Sequence, residues 1–128
     1  MSVRRALVLV AIGAVALVGC GSGDDGPALS PAAEAGRAIM RDNACASCHG
    51  ANGQGGVGPA FQGLFGTEVP LDDGSTVIAD AEYLAESIRE LDAKIVDGYR
   101  VPMPPNDLSD EEIAEVIAFI EAIGPEQE

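Results

Sequence analysis

The chain has very few large side chains with which to fill a hydrophobic core. Its 128 residues include three Phe, two Tyr and no Trp, although 47% of them are hydrophobic. Much of that hydrophobic fraction lies in one run near the N-terminus. The length allows one small domain behind a leader, and not two packed domains. We therefore expect a folded unit whose core obtains part of its volume from a buried cofactor.

The charge of the chain is strongly negative. A formal charge of −14 and a pI of about 4.1 argue against nucleic acid as a partner, which would need a basic surface. The acidic residues cluster at 72–73, 80–92 and 110–112. These clusters are interpreted as the solvated faces of helices, or alternatively as a negative field that steers a basic partner protein.

The N-terminus has the pattern of an export signal. Arg4 and Arg5 precede an uncharged apolar stretch, residues 6–18, that is shorter than the about 20 residues of a membrane-spanning helix. The stretch ends in Leu-Val-Gly-Cys20, which resembles the bacterial lipobox and predicts a lipid on Cys20. The alternatives are an ordinary signal peptide with a chance cysteine, or an uncleaved short anchor. In each case we expect the folded part outside the cytoplasm.

Four segments follow from this pattern. We predict a lipoprotein signal peptide at 1–19 and a flexible tether at 20–30, where small, polar and turn-forming residues dominate. A single folded domain is expected at 31–123, followed by a C-terminal tail at 124–128. The domain contains no internal repeat.

The first helix is predicted from its N-terminal cap. Ser30 is a good N-cap and Pro31 suits the first helical position, so a helix should continue over 32–41. Gly36 inside it is unfavourable by up to ~1 kcal/mol relative to Ala. A close approach of another helix would explain this glycine. One helix face is expected to carry Ala35, Ala38 and Ile39.

Two more helices are predicted further along. Asp80 can cap a helix from 81 to about 91, with Leu84, Ile88 and Leu91 on its buried face. Residues 109–112 form a capping box for a last helix that stops at 124–125. Its core positions are expected to be Ile113, Val116, Ile117 and Ile120, with Phe119 alongside.

Long loops separate these helices. Residues 50–66 are rich in glycine, and three prolines exclude helix at 98–107. Asp73-Gly74 lies between β-prone pieces, which predicts a short hairpin near 69–78. Loops this long in so small a domain usually wrap a bound group.

The residues Cys45-Ala-Ser-Cys48-His49 form the haem attachment signature Cys-x-x-Cys-His. Each thiol can add to one vinyl group of the haem, and His49 can then place a ring nitrogen on the iron. A thioredoxin-like redox pair would need a βαβ setting, which is not predicted. A zinc site would need further ligands, but there is no other His and Cys20 belongs to the leader. A plain disulfide would leave His49 unexplained.

Met103 is the predicted sixth ligand of the iron. Met1 leaves with the signal peptide, and Met40 lies on the helix that leads into the His49 side, so it should not reach the opposite face. Met103 is flanked by prolines that hold the backbone extended and limit its movement. The alternative is a methionine that caps the core.

This pattern resembles the class I cytochromes c, and especially the cytochrome c domain fused to subunit II of some bacterial cytochrome c oxidases. The resemblance covers nearly all of 31–123. The matching pieces are 45–50 (Cys-Ala-Ser-Cys-His-Gly), Gly58-Pro59, 64–66 (Leu-Phe-Gly), 80–88, 93–99 (Ala-Lys-Ile-Val-Asp-Gly-Tyr) and Met103-Pro104. Since no copper-binding half or transmembrane hairpin is encoded in these residues, we expect a free-standing cytochrome on a lipid tether.

The resemblance implies an all-α fold, with three main helices and long loops around one covalent haem c. It implies that the Pro59 carbonyl accepts a hydrogen bond from the second ring nitrogen of His49. It also implies a close crossing of the first and last helices at Gly36 and Phe119.

His and Met ligation fills the iron's coordination sphere, so the predicted function is the carriage of single electrons and not catalysis. The walls of the haem pocket are expected to double as the core, and Arg100 could pair with a haem propionate. Helical spacing and nearness to the ligands in the sequence predict the wall residues. They are Leu64, Leu84, Ile88, Tyr99 and Val101.

The expected protein is a monomer tethered to the extracytoplasmic face of a membrane by the lipid on Cys20. Its partners would be a redox donor and acceptor, with a terminal oxidase among the candidates. One alternative is an accessory subunit held permanently in an oxidase complex. Another is a haem enzyme or gas sensor, which would require Met103 to be absent from the iron.

Overall fold

The computed structural model describes residues 28–125. The predicted signal peptide, Cys20 and most of the tether lie outside these residues, as do residues 126–128. The elements in chain order are α1 (Pro31–Asp42), α2 (Cys45–His49), β1 (Glu68–Pro70), β2 (Thr76–Ile78), α3 (Ala81–Arg89) and α4 (Asp110–Ala122). The three predicted main helices and the hairpin are confirmed, and α2 is an additional short helix.

Side-chain caps begin the three main helices. The Ser30 hydroxyl accepts from the Ala33 amide at 3.2 Å, and an Asp80 carboxylate oxygen accepts from the Tyr83 amide at 2.8 Å. Ser109 forms the complete capping box with Glu112. Such caps satisfy amides that have no partner inside the helix, which explains why helix starts could be predicted from short sequence patterns.

Helices α1 and α4 pack directly against each other at Gly36. A Cβ atom on Gly36 would lie 1.9 Å from the Glu115 carbonyl oxygen and 2.9 Å from the Val116 Cα, so only glycine fits. The closest contact is therefore the α4 backbone. Phe119 lies one turn further along α4, with 2% of its surface exposed. The unfavourable helical glycine is explained by this crossing.

The buried side of α1 does not coincide with the face that carries Ala35, Ala38 and Ile39. Ala33, Gly36 and Met40 are buried, whereas Ala38 is exposed and Ala35 and Ile39 are half-buried. The crossing with α4 decides this burial, because its closest contact is at Gly36, on the side of α1 that also carries Ala33 and Met40.

The hairpin continues into a third piece of chain. Strands β1 and β2 are antiparallel, with Val69 opposite Val77, and Gly74 has a φ of 84° in their turn. The Asp72 amide donates to the Ile95 carbonyl at 2.9 Å, and the Asp97 amide donates to the Pro70 carbonyl at 3.0 Å. The hairpin thereby holds the segment around 95–97 in place.

The hydrophobic core contains few aromatic residues, as the composition predicts. Its largest fully buried side chains are Phe119, Met40 and Ile120. Leu91, predicted on the buried face of α3, lies beyond the end of that helix and is half-buried. None of the helices within residues 28–125 has the length and apolarity required to cross a membrane.

Candidate functional site

Helix α2 presents the two cysteines of the motif. It begins after Ala44, whose φ of 61° places this residue in the left-handed region. Cys45 and Cys48 are three residues apart and therefore lie on the same side of one helical turn. Both are free thiols and both are half-buried. Both cysteines line the same cavity.

His49 is oriented by a hydrogen bond on one ring nitrogen. Its Nδ1 lies 2.8 Å from the Pro59 carbonyl oxygen. Because a carbonyl only accepts, Nδ1 carries the proton, and Nε2 of the neutral ring keeps a lone pair that can bind a metal. Such a hydrogen bond orients the ring and raises its basicity as a ligand. The bond is the one that the resemblance implied.

The glycine-rich loop closes tightly around the same imidazole. Phe61 stacks on the His49 ring, with a centroid distance of 4.3 Å and an interplanar angle of 18°. A Cβ atom on Gly58 would lie 2.7 Å from the His49 Cε1 atom. The Gly58 amide donates to the Cys48 carbonyl at 3.0 Å. The ring is thereby held by contacts on its face and its edge.

Burial disfavours the charged forms of the imidazole and of one thiol. Desolvation lowers the pKa of His49, although its hydrogen bond to Pro59 acts in the opposite direction. Desolvation also raises the pKa of the Cys45 thiol, and the nearby Cys48 adds to that effect. A neutral imidazole is the form that can bind a metal ion through its free nitrogen.

Met103 lies in the loop between α3 and α4. Its side chain is half-buried, and Pro102 and Pro104 flank it. Met103 and His49 line the same cavity, whose volume is about 760 Å³. Met40 also lines this cavity, but only 1% of its surface is exposed and it belongs to the hydrophobic core.

The structure brings all of the predicted pocket residues around this one cavity. They are Cys45, Cys48, His49, Pro59, Leu64, Leu84, Ile88, Tyr99, Arg100, Val101 and Met103.

The prediction that the apolar wall residues also form the core is only partly correct. Leu84 and Ile88 are core residues of α3, and Leu64 is half-buried. Tyr99 and Val101 remain 36% and 64% exposed. Both residues belong to a loop that lines the cavity, and this loop forms no helix or strand at their positions.

The donor groups of the cavity fit a covalently attached haem. Two free thiols one helical turn apart, a neutral imidazole with a free nitrogen and a thioether surround one largely apolar space. No group of three or more His, Cys, Asp or Glu within residues 28–125 could hold a metal ion by itself. Two thiols that can bond a macrocycle and two side chains that can bind its iron are the donor set that haem c requires.

Two residues that hold the imidazole were not predicted as site residues. Phe61 could have been suspected, since it is an aromatic residue of the glycine-rich loop close to Pro59. Gly58 was noted only as part of the matching Gly-Pro pair. Its role depends on its closeness in space to His49, which lies nine positions earlier in the chain, and no local sequence pattern contains that information.

Comparison with known proteins supports a haem-binding domain. A family model described as Cytochrome c matches residues 33–124, which include all of the cavity-lining residues predicted from the sequence. No curated protein matches the chain.

Proposed function

The chain belongs to the cytochrome c family, and we propose that it carries single electrons between respiratory proteins with His49 and Met103 as axial ligands. Members of this family bind haem c covalently through a Cys-x-x-Cys-His motif, which Cys45, Cys48 and His49 fit. They are generally electron carriers, and the mostly helical fold agrees with a small class I cytochrome c. The similarity to oxidase-fused domains in particular remains part of the proposal.

The observation that carries this proposal is the placement of an imidazole and a thioether on the same cavity. Bound haem supplies an iron that exchanges one electron between its ferric and ferrous states. If His49 and Met103 are both ligands, no coordination position is open to oxygen or a substrate. The chain's role is then limited to holding the group and setting its potential.

The side chains around the cavity support such a role. A soft thioether at Met103 favours the ferrous state relative to a second imidazole. The apolar walls at Leu84 and Ile88 disfavour the additional positive charge of the ferric state. We assign Arg100, which is exposed and lines the cavity, to a propionate group, since a guanidinium pairs well with a carboxylate.

The direct test uses the full chain matured with a haem-attachment system. We expect a reversible redox titration with one electron, and no rapid binding of carbon monoxide by the reduced protein at neutral pH. The measurements are a reduced-minus-oxidised spectrum and a titration with the gas. Ready binding of carbon monoxide would instead favour a haem enzyme or gas sensor.

We further propose that a lipid on Cys20 tethers the domain to the outer side of a membrane. Cytochrome c domains are typically extracytoplasmic, and the Leu-Val-Gly-Cys20 pattern supports lipidation. Cys20→Ala should release the protein from membranes, because none of the helices within residues 28–125 is long and apolar enough to cross a membrane. The measurement is fractionation of cells after a high-salt wash. A mutant that has lost its leader and still remains with the membrane would contradict the lipid anchor.

The proposed partners are a redox donor and acceptor with basic surfaces. The support is the net charge of −14, since electrostatic attraction raises association rates and selects partners of opposite charge. A terminal oxidase fits as the acceptor. Co-purification of the protein with an oxidase in stoichiometric amounts would instead indicate a subunit that is permanently docked in that complex.

A further inference from the structure

The loop that carries Met103 has few backbone contacts with the rest of the domain. Residues 100–108 lie between α3 and α4 and contain three prolines, which have no amide hydrogen to donate. Within the described part of the chain, no backbone–backbone hydrogen bond joins this loop to another element. The position of the Met103 sulfur therefore depends on side chains that attach the loop.

Asn106 makes such an attachment. Its Nδ2 donates to the Ile88 carbonyl oxygen at 3.0 Å, across 18 positions of sequence. The carbonyls in the last turn of a helix have no partner inside that helix, and Ile88 is in the last turn of α3. The same side chain accepts a hydrogen bond from the Leu108 amide at 3.3 Å. Asn106 thus connects the loop, three residues after Met103, to the end of a core helix.

Packing at this junction leaves a gap, although Leu108 at the end of the loop packs against the hydrophobic core. A second cavity of about 210 Å³ lies between the end of α3, the loop and the start of α4, and Asn106 lines it together with Ile88 and Pro105. The nearby ion pair of Arg89 and Asp110 joins α3 to α4 without touching the loop. It is largely exposed, and such pairs contribute little.

We propose that Asn106 is a positioning residue that keeps the Met103 thioether in place on the haem side of its loop. This inference rests on the proposed function, because it requires Met103 to be an axial ligand. Since a loop without backbone hydrogen bonds can move away from α3 as a unit, loss of the Asn106 bond increases the fraction of molecules in which Met103 is displaced. The essential bond is the one to Ile88, and the bond within the loop to Leu108 does not suffice.

The test compares five haem-loaded proteins, namely the wild type, Met103→Ala, Asn106→Ala, Asn106→Asp and Gln62→Ala. Asn106→Asp keeps an acceptor for Leu108 but removes the donor to Ile88. Gln62→Ala is the control for loss of a side-chain hydrogen bond to a backbone carbonyl, because Gln62 donates to that of Asn52 at 3.1 Å. Gln62 lies outside the haem cavity, whereas Asn106 lines it. The measurements are carbon monoxide affinity of the reduced protein and the sulfur-to-iron charge-transfer band of the oxidised protein.

We expect both Asn106 variants to bind carbon monoxide about fivefold more tightly than the wild type, the factor that corresponds to roughly 1 kcal/mol for one net hydrogen bond. Their charge-transfer band should weaken, while Gln62→Ala stays like the wild type in both measurements. Met103→Ala should have the highest affinity for carbon monoxide and should lack the sulfur-to-iron charge-transfer band.

Each other outcome has a definite meaning. If Asn106→Ala matches Gln62→Ala while Met103→Ala opens the iron, the positioning role is wrong and the proposed function stands. If Asn106→Asp behaves like the wild type while Asn106→Ala does not, the bond to Leu108 is the important one and the proposal is overturned. If Met103→Ala equals the wild type, Met103 is not a ligand, and the proposed function fails together with this inference.

Discussion

Met103→Ala should open the iron of the haem-loaded protein, lower its reduction potential and admit carbon monoxide. The reason is that no other side chain of suitable chemistry is expected to reach the face of the cavity opposite His49. Since axial ligands set haem potentials over a range of ~0.8 V, we expect a fall on the order of 0.1 V or more. Optical and redox titrations of the variant measure both effects, and the covalent link through Cys45 and Cys48 should remain.

Two further variants make this result specific. Met103→His should restore a closed iron but leave the potential low, because imidazole stabilises ferric iron better than a thioether does. Met40→Leu is the matched control, since Met40 lines the same cavity from the hydrophobic core and leucine conserves its volume. A Met103→Ala protein that keeps the wild-type potential and excludes carbon monoxide would contradict the ligand assignment and return attention to Met40.

Replacement of both Cys45 and Cys48 by alanine should abolish covalent haem and, with it, the cooperative fold. The space to be filled is about 760 Å³, lined by core residues of α1, α3 and α4. If a fifth of it remained empty, the protein would lose about 4 kcal/mol, at ~24 cal/mol per Å³ of cavity. Small domains have a total stability of only about 5–15 kcal/mol. Circular dichroism and thermal unfolding measure this loss.

Cys20→Ala is the matched control for the double variant, because it removes a cysteine outside the motif. It should keep the haem and its sharp thermal transition. Retention of a native spectrum and a cooperative transition by the double alanine variant without haem would show that the side chains alone make a sufficient core. The argument from the scarcity of large side chains would then be wrong.

The parts of the fold that follow local rules were predictable. Ser30, Asp80 and Ser109 each cap the amides of the next few residues, so the helix starts can be recognised within a short segment. The hairpin turn at Asp73-Gly74 is equally local. The attachment motif also lies within five consecutive residues, so the cofactor could be inferred without any knowledge of the tertiary structure.

Predictions about which surfaces become buried were less successful. The grouping of Ala35, Ala38 and Ile39 on one face of α1 did not reveal that Ala38 stays exposed, because burial on this helix depends on where α4 crosses it. Tyr99 and Val101 were expected in the core and are exposed, although they do line the cavity. Apolar character alone does not reveal whether a second element is available to cover a side chain.

The amino-acid sequence by itself determined the helices, the haem attachment motif and the set of residues that could bind the iron. Only the tertiary structure showed that Phe61 stacks on His49, that Gly58 leaves room for its ring and that Asn106 attaches the Met103 loop to α3. Caps, turns and the motif depend on residues a few positions apart, and their patterns can therefore be read along the chain. Contacts such as Asn106 with Ile88 depend on how distant segments pack, and the packing of the whole domain decides them.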